Sequence, residues 1–290
     1  GVKMKDWKRY LTGLSLMPLV LVIVYYLPQN FFVYLIMITA FFGFSEYLKM
    51  FNEKKDHLFV PFAVLMMILV ETMSGLGPVD NFADLTIGQI STSFDVIRQF
   101  ILIIISAAAL IPILSLFGSD PVERKFKRMT LYLSGFFYLG LGFGLFPLVR
   151  NYRPDHQWMA FALIVPWICD TAAYFGGRFF GRHKFSPVIS PNKTWEGAIS
   201  GAAFSIIAGL IFGYFFLKSE GMLFVGMVAF LIGILGQLGD LAESLIKRGA
   251  GVKDSGTLFP GHGGILDRTD SLLISVTVIY VSLLLKNHGL

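Results

Sequence analysis

Between Asp240 and Asp270 the chain concentrates carboxylates, cations and glycines in one polar stretch. Asp240, Glu243 and Lys247 fall at i, i+3 and i+7, one face if a helix carries them. Asp267 and Asp270 likewise share a face if the next helix begins near Leu266. Spaced carboxylates suit magnesium, which takes one or two hard protein ligands and leaves its other octahedral positions to water and phosphate oxygens. Lys247, Arg248 and Lys253 are placed to neutralise a leaving pyrophosphate. The glycines of 261–264, ahead of a helix N-terminus, let backbone amides approach phosphate oxygens. Together these residue types point to phosphoryl or nucleotidyl transfer on a triphosphate.

Taken singly, each feature has a plainer reading. An Asp at a helix start is commonly an N-cap, boundary cations commonly set topology, and a glycine cluster is commonly a turn. His262, between glycines, is commonly a loop hydrogen-bonder. Their density in one stretch favours the chemical reading. Asp170 is a further candidate: it lies in an apolar run, where an ionised group costs roughly 2.5–3.5 kcal/mol, so a polar cavity or partner is expected beside it. Glu46 and Glu71 also lie in or near apolar runs, but close to helix ends, and both read as structural.

The elements that must position these groups are membrane helices. Of 290 residues, 55% are apolar and only 15% charged, against about 25% in a soluble domain, and the mean hydropathy is +0.67. Runs near 11–27, 31–50, 58–74, 98–117, 129–148, 157–176, 198–217, 222–241 and 270–286 approach or reach the roughly 20 residues that a helix needs to cross hydrocarbon. The expectation is an all-α, polytopic integral membrane protein with about nine spans. Residues 1–150 form an N-terminal, lipid-facing region of about five helices. Residues 151–290 form a catalytic region with two polar loops, 177–197 and 240–270, on one side. Of the 24 Lys and Arg, only Arg98, Arg150, Arg153, Lys218 and Lys286 fall on the opposite side of a nine-span chain. That asymmetry puts the N-terminus and both loops in the cytoplasm and the C-terminus outside. No small-residue cleavage site follows the basic N-terminal stretch, so the first span reads as uncleaved.

The net charge of +5 is spread through short loops, which argues against a nucleic-acid partner. Residues 75–97 read as an external loop or short interfacial helix. The lone cysteine, Cys169, excludes an intrachain disulfide and reads as a core thiol. Gly197, Gly201, Ser205, Gly209 and Gly213 recur every four residues, a ridge that lets another helix approach closely. Packing within the subunit is the first reading of that ridge, and a homodimer contact is the alternative.

The run Ser244-Leu245-Ile246-Lys247-Arg248, then Lys253-Asp254-Ser255-Gly256, then Leu258 through Asp270, resembles the signature of the phosphatidate cytidylyltransferase family. Asp170 through Gly181 and Ser190 through Gly197 resemble the family's other marked segment, with Asn192 where many bacterial members have Gly. The resemblance is detailed over about 170–270, and only hydropathy carries it over 1–150. It implies that phosphatidic acid attacks the α-phosphorus of CTP, giving CDP-diacylglycerol and pyrophosphate at the cytoplasmic face of a bacterial inner membrane. By resemblance, Asp240, Asp267 and Asp270 hold Mg2+, with a second cation left open. Lys247, Arg248, Lys253, Asp254 and His262 form the catalytic set, and Lys193 joins the cations on the phosphates. Asp170, Arg178, Ser190, Lys193, Thr194, Glu196, Glu243, Ser244, Gly261, Gly263, Gly264 and Arg268 form the substrate-binding surface for CTP, phosphatidic acid and membrane lipid. Two alternatives stand beside this reading. A CTP-dependent lipid kinase would release CDP, and a secondary transporter would carry its polar groups at the midplane in related halves.

Overall fold

The computed structural model describes residues 18–53, 58–75, 87–256 and 263–287. Helix α1 covers 18–26, followed by α2 (Gln29–Met50), α3 (Phe59–Ser74), α4 (Ile87–Ser115) and α5 (Val122–Gly135). A π-helical turn, Phe136–Gly140, joins α5 to α6 (Leu141–Asn151) without a break in the rod. Then come α7 (Gln157–Phe180), α8 (Trp195–Phe216), α9 (Met222–Gly249) and α10 (Leu266–Asn287). Helices dominate because hydrocarbon offers backbone groups no water to bond, so a segment that crosses it must satisfy them internally. Among the described residues the strands form a polar ribbon between α7 and α8, β1 (Lys184–Ser186) paired antiparallel with β2 (Ser190–Thr194).

Among the described residues, six helices are long and apolar enough to cross a membrane: α2, the α5–α6 rod, α7, α8, α9 and α10. The apolar segments Phe59–Ser74 and Ile101–Ser115 are shorter. The expected first span, 11–27, lies partly outside the described residues, and the spans expected at 58–74 and 98–117 correspond to the two shorter apolar segments. The stretch read as an external loop or short interfacial helix, 75–97, is helical from Ile87 onward, because α4 starts eleven residues before the expected span. Many large apolar side chains face outward, among them Phe31, Val60, Phe204, Ile211 and Leu223, as suits a protein solvated by lipid.

The small-residue ridge of α8 is buried along its length, all within this chain. A Cβ on Gly201 would meet Cys169 O and Ala173 Cβ of α7 at 3.1 Å, and one on Gly209 would meet Ala229 Cβ of α9 at 2.3 Å. The ridge is therefore the seam along which α7, α8 and α9 close together. Helix α10 packs on α9, α7 and α6, and so joins these three to the N-terminal helices.

The ends of the rods sort onto two levels. At one lie Glu46 near the end of α2, the end of α7, the ribbon, the start of α8, the end of α9 and the start of α10. At the other, Arg150 is buried and donates to Val24 O at 2.9 Å, to Gln29 Oε1 at 2.6 Å and to Leu27 O. Arg153 and Lys286 both pair with Glu220 at that level, and Lys218 sits over the Tyr214 ring. Four of the five cations of the minority side, Arg150, Arg153, Lys218 and Lys286, are thus structural fasteners.

Candidate functional site

The site starts from four helix ends. Thr194, the last residue of β2, caps α8 by accepting from Gly197 N at 3.2 Å, so the strand hands its direction to the helix. Helix α9 continues to Gly249, which puts Asp240, Glu243 and Lys247 on one helical face. Helix α10 begins at Leu266, which gives Asp267 and Asp270 a common face in its first turns. What the sequence offers as the loop 240–270 is thus helical at both ends, 240–249 in α9 and 266–270 in α10.

Between these ends and α7 lies a cavity of about 850 Å³ with mixed polar and apolar walls. Asp170, Arg178, Lys193, Thr194, Asp240, Lys247, Asp254, Gly263, Asp267, Arg268 and Asp270 all line it. Asp170 is exposed to this space, so its charge inside an apolar helix faces a polar cavity as expected. A second, largely apolar groove of about 420 Å³ runs along α8 and α9 and shares Phe185, Ala198 and Gln237 with the first. The two spaces adjoin, one polar and one greasy.

Two lysines organise the charge. Lys193 Nζ lies 2.7 Å from Asp240 Oδ2, bringing the ribbon to α9. Lys247 Nζ lies 2.5 Å from Glu243 Oε2 and 2.7 Å from Asp267 Oδ1. The Asp267 carboxylate is fully engaged, since its Oδ2 also accepts from Ser255 N at 2.9 Å, Ser255 Oγ at 2.9 Å and Gly264 N at 2.8 Å. A different trio gathers more closely: one carboxylate oxygen each from Asp240, Glu243 and Asp270 lie within 4.8 Å of one another. Glu243 is buried, and its Oε1 has no hydrogen-bond partner. Three carboxylates so close, one with an idle buried oxygen, suit a cation between them.

Other residues named from sequence lie elsewhere. Glu196 braces the ribbon, accepting from Arg182 N at 3.1 Å and meeting His183 Nδ1 at 2.6 Å. Arg248 reaches Ile189 O at 3.4 Å and Val252 O at 3.1 Å, holding the ribbon's turn against the end of α9. Ser190, Ser244, Lys253 and Gly264 are not in the cavity wall, and Gly261 and His262 lie outside the described residues. Of the glycine amides of 261–264 offered to phosphate on sequence grounds, that of Gly264 is engaged by a carboxylate, as are the two amides that follow it. Gly264 N donates to Asp267, while Ile265 N and Leu266 N donate to Glu46 Oε2 at 2.7 and 3.3 Å.

Ser255 was missed from the sequence, and Glu46, read there as structural because it lies near a helix end, is buried against the start of α10. Gln237 was also missed; its Nε2 donates to Ala198 O at 3.1 Å and so holds α9 to α8 beside the cavity.

A family model described as "Cytidylyltransferase family" matches residues 7–285. Over 149 residues, 51% of this chain and 55% of the relative, the sequence is 44% identical to a phosphatidate cytidylyltransferase of Brucella suis biovar 1 (strain 1330). Over 160 residues, 55% of this chain and 61% of the relative, it is 43% identical to a phosphatidate cytidylyltransferase of Staphylococcus haemolyticus (strain JCSC1435). The matched stretches span a little over half the length of each of these relatives.

Proposed function

The chain belongs to the cytidylyltransferase family, and from that premise we propose that it moves the cytidylyl group of CTP onto phosphatidic acid, giving CDP-diacylglycerol and pyrophosphate. The observation that carries this reading is the pairing of a charged cavity with an apolar groove that share Phe185, Ala198 and Gln237. A hydrophilic nucleotide and a lipid have to meet at one point, and these adjoining spaces provide it. The relatives' names, phosphatidate cytidylyltransferase, agree with that pairing.

In the proposed reaction a phosphate oxygen of phosphatidic acid attacks the α-phosphorus of CTP. A new P–O bond forms there, the bond to the bridging oxygen breaks, and pyrophosphate leaves with the electron pair. A phosphate monoester has its second pKa near 6, so the nucleophile is already an anion at neutral pH and needs no strong base. The obstacle is repulsion between two anions, and the remedy is fixed positive charge and in-line positioning. Arg178, Lys193 and Arg268, all in the cavity wall, are the cations placed to receive phosphates. Lys247 is bound to Glu243 and Asp267, so its role is to hold those two carboxylates in place while presenting its charge to the cavity.

Asp240, Glu243 and Asp270 are the residues that would hold magnesium, and Asp267 anchors Lys247 beside them. Magnesium bound there supplies charge neutralisation of the triphosphate and of the departing pyrophosphate. The site faces the cytoplasm of a bacterial inner membrane in this reading, with the basic loops inside. Pyrophosphate release tests it: the protein in detergent with magnesium should release pyrophosphate only when both CTP and phosphatidic acid are present. Release of CDP instead would identify γ-phosphate transfer, the lipid-kinase chemistry.

A further inference from the structure

The buried carboxylate of Glu46 comes from α2, far from the catalytic helices in sequence, yet it sits at the start of α10. Its Oε2 accepts from Ile265 N at 2.7 Å and Leu266 N at 3.3 Å, and Ser255 Oγ lies 3.4 Å away. A helix N-terminus is ordinarily capped by a Ser, Thr, Asp or Asn beside it. Here Ile265 precedes the helix and offers no side-chain oxygen, so much of the cap arrives from 219 residues away.

The surrounding chain is built around this carboxylate. A Cβ on Gly256 would stand 2.6 Å from Glu46 Oε1, and a Cβ on Gly264 would stand 2.3 Å from Glu46 Oε2. One turn back on α2, Gly43 leaves room for Leu266, whose Cδ2 would lie 3.2 Å from an added Cβ. Ser255 then forms the link onward: its Oγ lies 2.9 Å from Asp267 Oδ2, and Asp267 Oδ1 holds Lys247. The chain of contacts runs Glu46, Ser255, Asp267, Lys247, Glu243, from the N-terminal helices to the acidic trio.

We propose that Glu46 is a positioning residue of the reaction: it fixes where α10 begins, and through Ser255 and Asp267 it sets the placement of Lys247 and of the Asp240–Glu243–Asp270 group. The proposal rests on the cytidylyl-transfer reading for its activity readout. It also gives the N-terminal region a part in the site itself, beyond contact with lipid.

The test compares Glu46→Asp with Glu46→Gln in the full chain in detergent. Asp is one methylene shorter and withdraws from the α10 amides, whereas Gln keeps an oxygen at full reach. Glu46→Asp should lower kcat, and weaken the dependence of thermal midpoint on added magnesium, by about 10–100-fold, the range for partners that orient metal ligands. Glu46→Gln should stay near wild type in both, and KM for phosphatidic acid should move in neither. Wild-type kcat and magnesium dependence in a folded Glu46→Asp protein overturn the proposal. Equal loss in both variants that simply follows a fall in thermal midpoint overturns it too, since a purely structural cap gives that pattern. An inactive wild type refutes cytidylyl transfer instead, and the magnesium dependence of the midpoint then decides the positioning role by the same comparison.

Discussion

Lys247 Nζ lies 2.7 Å from Asp267 Oδ1, joining the last turn of α9 to the first turn of α10. The same ammonium lies 2.5 Å from Glu243 Oε2, and all three side chains are largely withdrawn from solvent. One cation therefore holds two buried anions on two helices.

Replacing that cation leaves both carboxylates buried and uncompensated, which typically costs about 3–5 kcal/mol. Lys247→Met should lower stability by that order and abolish turnover, measured as unfolding in detergent and pyrophosphate release. A change below about 1 kcal/mol, the worth of an exposed pair, would contradict the burial argument.

The acidic trio leads to a magnesium requirement. Chelation with EDTA should abolish turnover, and added magnesium should restore it. Asp240→Asn, Glu243→Gln and Asp270→Asn should each raise the magnesium concentration for half-maximal activity, by about 10-fold or more. That is the scale on which lost support of a metal site is felt. Asp267→Asn should lower kcat mainly by loosening Lys247, so its magnesium requirement should shift less than that of Asp240→Asn. Equal requirements in the two variants would place Asp267 among the ligands.

The apolar groove carries its own expectation. Ala202 lines it, away from the charged cavity, and Trp at that position fills space that an acyl chain would use. Ala202→Trp should raise KM for long-chain phosphatidic acid while leaving KM for CTP, and turnover of a short-chain, water-soluble phosphatidic acid, unchanged. Parallel loss on both lipids would remove the groove from the account.

At the opposite level Glu220 gives a pH dependence. Burial raises its pKa, but the bonds from Lys286 at 2.5 Å and Arg153 at 2.9 Å outweigh burial, and the net shift is downward. A carboxyl depressed by folding stabilises the protein fully above its unfolded pKa, near 4.3, and loses that contribution as pH falls through the lower folded value. Thermal midpoints of wild type and Glu220→Gln should differ at pH 7 and converge below about pH 4. A gap that persists at low pH would show that the clamp does not depend on the carboxylate charge.

The sequence made some features legible and hid others for physical reasons. Asp240, Lys247, Asp267 and Asp270 could be placed together because helical spacing turns i, i+3 and i+7 into a face. Asp170 could be placed because a charge in an apolar run needs a polar neighbour. Glu46 meets the same criterion, yet its partners are backbone amides 219 and 220 residues away, a relationship that no spacing reveals. Glu196 and Arg248 sit in marked segments beside true wall residues, and only geometry separates a brace of the ribbon from a group facing the cavity. The ribbon was hidden because five residues of β2 carry no alternation of apolar and polar side chains. The glycine ridge gave the close approach but not its partners, which are α7 and α9 of this chain.

The central claim is that the α-phosphorus of CTP becomes bonded to the lipid phosphate. Its most direct test incubates the purified protein in detergent with magnesium, phosphatidic acid and CTP labelled at the α-phosphate, then separates lipid from aqueous products. The account expects label in the lipid fraction in equimolar ratio to pyrophosphate, and less with Asp240→Asn at the same magnesium concentration. Lipid that stays unlabelled with active wild-type protein, or that takes up label only from γ-labelled CTP, would contradict it.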